Sequence, residues 1–243
     1  MQQYFAKNKN LQLEESDYHH IKNVMRMKKG DMIKVVYDNI VYDCKLTNVN
    51  ECKYEIMNKT EFKENNCKVT IAFSLIKEQK LNYLLQKVTE TGCDFLIPIN
   101  TSRCVVKIDK AKEKSKIERW TKICKEAAEQ SFRSNVPKIS NIYDVKELIN
   151  YDSDLKLICS LNENTKNIKK VLQNNTNCDR ILLVVGPEGG FSLKEEKFLL
   201  DNGFISVSLG KNVLRAETAP VVALSMINYE FGRWVVWKNY LHK

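Results

Sequence analysis

Along this 243-residue chain, short β-branched runs give way to segments with helical spacing, and the two alternate through most of its length. The first 68 residues differ. Met32–Tyr37, Ile40–Leu46 and Tyr54–Met57 lean toward strand, separated by turn-prone Asp38-Asn39 and Asn48–Asn50. A short helix is predicted over Tyr18–Met27, with Gly30-Asp31 in the turn behind it. A domain boundary is expected near Asn65–Lys68. Beyond it, Val69–Leu75 reads as a strand, and Leu81, Leu84, Leu85 and Val88 mark an amphipathic helix that stops at Gly92. Phe95–Ile99 is a strand, Ile117, Trp120, Ile123, Cys124 and Ala127 line one face of a helix, and Leu155–Ser160 is a further strand. Strands alternating with helices argue for an α/β domain with a mainly parallel sheet over residues 69–243.

The last third holds two glycine-marked segments. In ILLVVGPEGGFSLKEE, the buried-strand pattern Ile181–Val185 runs into Gly186, Gly189 and Gly190. Ser192 is placed to cap a helix there, with Glu195 completing a capping box. In VSLGKNVLRAETAPVVALSMIN, a strand end at Val207–Leu209 turns at Gly210, and a helix over Val221–Tyr229 follows Pro220. Neither glycine spacing is that of a P-loop or a dinucleotide fingerprint, and Glu188 would repel a pyrophosphate. Two such turns suit a ligand with hydroxyl or ammonium groups held mainly by backbone. The bland alternatives are plain strand–helix turns, with Arg215 and Glu217 as a solvated ion pair.

Net charge is +9, and residues 103–125 carry nine Lys/Arg against three acids, a net of +6. That excess points to a polyanion partner, or else to a lysine-rich solvated face. The eight cysteines are scattered without a C-x-x-C pair, which argues against a zinc site and a disulfide framework. No apolar run approaches the roughly 20 residues of a membrane span. MQQYFAKNKN carries no apolar signal core, so the expectation is a cytoplasmic protein with no membrane partner.

GPEGGFS, LGKNVLRAETA, ERWTKICKEAAEQSFRSNVPKI, HHIKNVMRMKKGD and KVTETGCDFLIPINTSRCVV, taken together, resemble the RsmE family. Its members are small-subunit ribosomal RNA (uridine-N3)-methyltransferases of the SPOUT class. The resemblance implies a PUA-like, RNA-gripping β-barrel over residues 1–68. It implies a C-terminal domain, 69–243, whose trefoil knot binds S-adenosylmethionine, and a homodimer. The substrate implied is 16S rRNA of the small ribosomal subunit, with no metal.

Carried over from the motifs, the cofactor contacts are Leu161, Gly186, Glu188, Gly189, Leu209, Gly210, Leu214, Ala216, Thr218 and Ala219. Uridine N3 keeps its proton at neutral pH, so the site needs a base or positive charge that stabilises the anion. The catalytic candidates are Arg215 and Arg133 as cations and Glu217 as a base; Arg103 is a further cation. RNA contacts are assigned to Arg26, Arg103, Lys107, Arg119 and Arg133. Glu126, Glu129, Gln130 and Arg133 are spaced to share one helical stripe, and His19-His20 are assigned to packing or capping.

The chain departs from the family pattern at Gln2 and Gln3, at Arg103-Cys104, and at Leu161-Asn162-Glu163. Two alternatives stay open at this point: another SPOUT RNA methylation, on ribose 2′-O or a different base, and a catalytically silent ribosome-binding protein.

Overall fold

The computed structural model describes residues 1–62, 67–161 and 166–233. Asn65 and Asn66 of the expected boundary, and Asn162 and Glu163, lie outside the described residues. The chain divides into two compact units, one of Met1–Glu64 with Cys124–Val136, the other of Asn65–Ile123 with Pro137–Lys243.

In the first unit, β1 (Gln2–Phe5) pairs parallel with β2 (Met32–Tyr37), and β2, β3 (Ile40–Asn48) and β4 (Lys53–Glu61) form an antiparallel meander. The β2–β3 turn is Asp38-Asn39, both at positive φ, the backbone that a two-residue hairpin with native twist requires. Tyr4, Leu13, Ile21, Ile33, Val35 and Leu46 are buried in its core.

The helix expected over Tyr18–Met27 is displaced. It starts earlier, as α1 (Glu15–His19), because Glu14 and Asp17 form a capping box. It ends earlier, as a π-helical turn His20–Val24, with Arg26 in the left-handed region at φ 50°. His20 Nδ1 lies 2.9 Å from Tyr4 Oη, a packing role, while His19 is exposed.

Residues 124–136, read from sequence as part of the second domain, pack with the first unit. Lys125 Nζ is 3.0 Å from Asp17 Oδ1 and 3.6 Å from Glu129 Oε1, and Glu129 also accepts the Phe5 amide at 3.3 Å. Gln3, buried, donates to the Arg133 carbonyl at 2.7 Å. Burial pushes the Glu129 carboxyl up to about 7, against the pull of Lys125. Burial also opposes the Lys125 charge, yet Asp17 and Glu129 hold its pKa above the ordinary lysine value.

The second unit is an eight-stranded sheet in which every pairing is parallel. Its central order is β12 (Ile205–Ser208), β9 (Leu155–Cys159), β11 (Arg180–Val185), β5 (Lys68–Ser74), β6 (Phe95–Asn100). Short β7 (Lys138–Ile139), β8 (Tyr143–Asp144) and β10 (Lys166–Asn167) extend the edges. Val69–Ser74 is buried at every position, as in a strand covered on both faces.

The helices are α2 (Glu78–Glu90), α3 (Lys110–Gln130), α4 (Ile168–Gln173), α5 (Leu193–Asp201) and α6 (Ala219–Glu230). Leu81, Leu84, Leu85 and Val88 of α2 are buried, as their spacing predicts. At the amino end of β6, Asp94 accepts the Val69 amide at 2.8 Å and pairs with Arg233 at 2.6 Å, both side chains almost wholly buried. Because all strands run the same way, the loops after β5, β6, β9, β11 and β12 emerge at one edge of the sheet.

Candidate functional site: a cavity at the carboxyl ends of the strands

Three of those loops, after β9, β11 and β12, wall a cavity of about 520 Å³, within the roughly 300–1,000 Å³ usual for small-molecule sites. The loop after β11 is Gly186–Ser192. Gly190 takes φ 65° and its amide donates to the Pro187 carbonyl at 2.8 Å, closing a tight turn. Gly186 has no room for a side chain: a Cβ there would meet Phe191 at 3.0 Å and the Gly190 carbonyl carbon at 3.3 Å. The turn feeds α5, whose N-cap Ser192 forms the expected capping box with Glu195.

Neighbouring segments grip this loop. Arg103, in the loop after β6, donates from Nη1 to the Gly189 carbonyl at 2.7 Å. The Ser102 amide and hydroxyl donate to Glu195 at 2.7 and 2.8 Å. Burial raises the Glu195 carboxyl, but the bonds from Ser102 and Ser192 outweigh it and hold the pKa below the ordinary value. Lys80 of α2 lies 2.9 Å from Glu188, and that bond, set against slight desolvation, lowers the Glu188 pKa.

The loop after β12 runs from Leu209 to Thr218. Gly210 adopts φ 143° and its amide donates to Ser208 Oγ at 3.3 Å. Val213 is 74% exposed and Arg215 is exposed, both on the cavity wall. The Thr218 and Ala219 amides donate to the Arg215 carbonyl, and Pro220 sits in the first turn of α6, as its position in the sequence suggests.

Of the expected cofactor residues, Leu161, Gly186, Glu188, Gly189, Leu209, Gly210, Leu214, Ala216 and Ala219 line the cavity together with Arg103 and Arg215. Thr218 and Glu217 are absent from its wall. Glu217 is buried, with Oε2 lacking a hydrogen-bond partner among the described residues. No ion pair joins it to Arg215 among the described residues. Arg26 and Arg133 belong to the first unit. Arg133 also leaves the predicted stripe: α3 stops at Gln130, Phe132 is left-handed at φ 53°, and the Arg133 side chain donates to Asn135 at 2.7 Å. Arg119 engages Glu78 and Asn82, and Lys107 lines a second, smaller cavity.

Sequence reading missed several members of the wall, among them Lys80, Cys159, Ser160 and Glu196. Lys80 carries no motif signal. Cys159 and Ser160 end a strand whose apolar pattern gives no hint of a ligand. Glu196 looks like an ordinary first-turn acid, yet it is buried and accepts from Ser160 Oγ at 2.5 Å. Burial pushes the Cys159 thiol up to about 12, so it acts as a neutral, soft wall.

A parallel α/β sheet with a ligand-sized cavity on its carboxyl edge is joined in one chain to a smaller mixed-sheet unit, and family models assign both parts to the RNA methyltransferases. Residues 63–228 match the RNA methyltransferase domain, and residues 13–56 match the RNA methyltransferase PUA domain. The ribosomal RNA small subunit methyltransferase E of Bacillus subtilis is 37% identical over 95% of this chain and 97% of its own length. That of Mesomycoplasma hyopneumoniae is 34% identical over 85% and 88%. The crystal structure of the Neisseria gonorrhoeae enzyme bound to S-adenosyl methionine superposes with a TM-score of 0.84 at 26% identity, covering 94% of this chain and 97% of the other. The chain belongs to the ribosomal RNA small subunit methyltransferase E family.

Proposed function

We propose that this protein transfers the methyl group of S-adenosylmethionine to N3 of a uridine in 16S rRNA of the small ribosomal subunit. The observation that carries the reading is the convergence of both glycine-marked loops on one cavity, with two arginines, Arg103 and Arg215, on its wall. The lining fits the cofactor. Apolar strand ends at Val185 and Val207 and the side chain of Phe191 suit a flat ring; Ser160, Ser208, Glu188 and Glu196 suit hydroxyl and ammonium groups.

Bound there, the cofactor supplies an electrophilic methyl group on a sulfonium. The chain's part is to hold and align. Backbone of Gly186–Gly189, Leu209-Gly210 and Leu214–Ala216 forms the cradle, with Leu161, Glu188, Thr218 and Ala219 around it. N3 gives up its proton to solvent water, Arg215 stabilises the uracil anion that remains, and Arg103 adds positive potential beside it. Glu217, buried within the second loop, supports that loop in this scheme. N3 lies on the Watson–Crick edge, so the target base must be unpaired or extruded.

Residues 1–68 act as an RNA-binding PUA-like unit through Arg26, and Arg133 serves the same function, while 69–243 carries catalysis in a knotted SPOUT domain. Arg119 and Lys107 contact phosphates. The working form is a cytoplasmic homodimer.

The test is incubation with S-adenosylmethionine and small subunits from a strain lacking this activity, then nucleoside mass spectrometry. One 3-methyluridine, lost in Arg215→Ala, is the expected result. Methyl transfer to another atom, or none to subunits and free RNA despite cofactor binding, overturns the substrate assignment.

A further inference from the structure

A second cavity of about 240 Å³ opens at the same sheet edge. Its apolar wall is Ile76, Leu81, Val106, Ile108 and Trp120, from the loop after β5, from α2, from the loop after β6 and from α3. Ile76, Leu81 and Trp120 are almost wholly buried, so the floor is fixed by the core. The rim is charged: Lys107, Lys112 and Lys116, with Glu78 and Asp109. Glu78 is held by Lys116 at 3.3 Å and by Arg119, so its charge is already matched within the protein. Lys107 and Lys112 are exposed, and the segment from 103 to 125 is strongly basic.

The two cavities share their framing segments. The loop after β6 sends Arg103 into the first and Val106–Asp109 into the second. The start of α2 sends Lys80 into the first and Glu78 and Leu81 into the second.

We propose that this second cavity takes one unstacked nucleobase of the RNA strand that carries the target, with Lys107 and Lys112 on the flanking phosphates. The proposal rests on the RNA-methylating reading of the first cavity. An apolar slot below the roughly 300 Å³ of drug-sized sites matches a single ring system. A lysine rim matches the phosphates on either side of it. Single-stranded RNA is recognised by splaying bases into such slots while cations track the backbone. An extruded target uridine leaves its neighbour unstacked on one face, and a slot beside the active cavity offers that neighbour a place. The pocket then acts as a positioning and specificity site, reading the nucleotide next to the target.

The experiment measures binding of the full-length protein to a single-stranded small-subunit rRNA fragment and to an abasic ribose-phosphate chain of equal length. Wild type is expected to prefer the RNA by about tenfold or more. Ile108→Trp, which fills the slot from a half-buried loop position, should abolish most of that preference while keeping wild-type affinity for S-adenosylmethionine. Lys107→Ala with Lys112→Ala should weaken binding of both strands alike. The slope of log affinity against log salt should flatten by about 0.7 for each phosphate that is no longer neutralised. Unchanged base preference in Ile108→Trp, with cofactor binding intact, overturns the pocket assignment. A wild-type protein that methylates RNA yet shows no base preference overturns it too, while leaving the enzymatic reading in place. Absence of methyl transfer by wild type counts against the enzymatic reading instead, and the binding comparison still decides the pocket.

Discussion

The loop after β11 is held from outside, whereas the loop after β12 is held by its own backbone. Lys80, Ser102 and Arg103 reach the first from two other segments, and a capping box fixes its exit into α5. The second folds back on itself through Ser208 Oγ and the Arg215 carbonyl, and presents Val213 and Arg215 to solvent. The first loop is therefore the preformed side of the cradle, shaped before any ligand arrives. The second is the element with freedom to adjust over a ligand, and it carries the charge assigned to chemistry. Binding and turnover should separate along this line.

The largest expected effect sharpens that separation. Arg215→Ala should cut kcat by about 10²–10³-fold, the cost of removing one donor aimed at developing charge. Its affinity for S-adenosylmethionine and its melting temperature should stay near wild type, because the side chain is exposed and its carbonyl, not its guanidinium, anchors α6. Equal loss of cofactor affinity would erase the division of labour.

Gly186→Val attacks the cradle. A side chain at that position collides with Phe191 and with the turn backbone, so the loop must move. Overpacking of about 1–3 kcal/mol transmitted to the cradle corresponds to roughly 5- to 150-fold weaker cofactor binding. Calorimetric titration measures it, and an unchanged dissociation constant would show that the cradle is softer than its contacts imply.

These two variants also mark what is legible in the sequence. The glycine loops, the Ser192 capping box and the α2 and β5 patterns are local, and local spacing is readable. The grips on the first loop are not: Arg103 and Gly189 are 86 residues apart, and Lys80 and Glu188 are 108 apart. Nothing in periodicity pairs them. The return of 124–136 to the first unit is hidden for the same reason, since α3 reads as one amphipathic helix while Lys125 and Glu129 answer to Asp17 and Phe5. Helical spacing carried past Gln130 misplaces Arg133, because it does not show the left-handed Phe132 that ends the run.

Ser192→Ala tests the cap at the cradle's exit. Loss of an N-cap hydroxyl costs about 1 kcal/mol. It also frees Glu195 from one of its two serine partners, leaving Ser102. Denaturant melts should show that loss, with cofactor affinity reduced only a few-fold because the Ser102 and Arg103 grips remain. A loss of stability with full affinity would assign the cap to folding alone.

The smallest effect concerns Lys80 and Glu188. Their pairing favours ionised Glu188 in the fold, so its pKa lies below the ordinary value of 4.5. A depressed acid contributes stability that is fully present above that ordinary value and is lost as pH falls through the folded one. Both side chains are about one-third exposed, at 33% and 37%, so solvent screens the pair and its worth is below about 1 kcal/mol. Lys80→Met should therefore be slightly less stable than wild type near pH 7, with the gap closing as pH falls below the ordinary value of 4.5 and Glu188 protonates in both proteins. Cofactor affinity of the variant should fall by no more than about fivefold, because Arg103 still holds the neighbouring carbonyl. A gap that persists unchanged at low pH would mean that the Lys80 stem matters more than its charge, and the outside grip on the first loop would then be steric at this point rather than electrostatic.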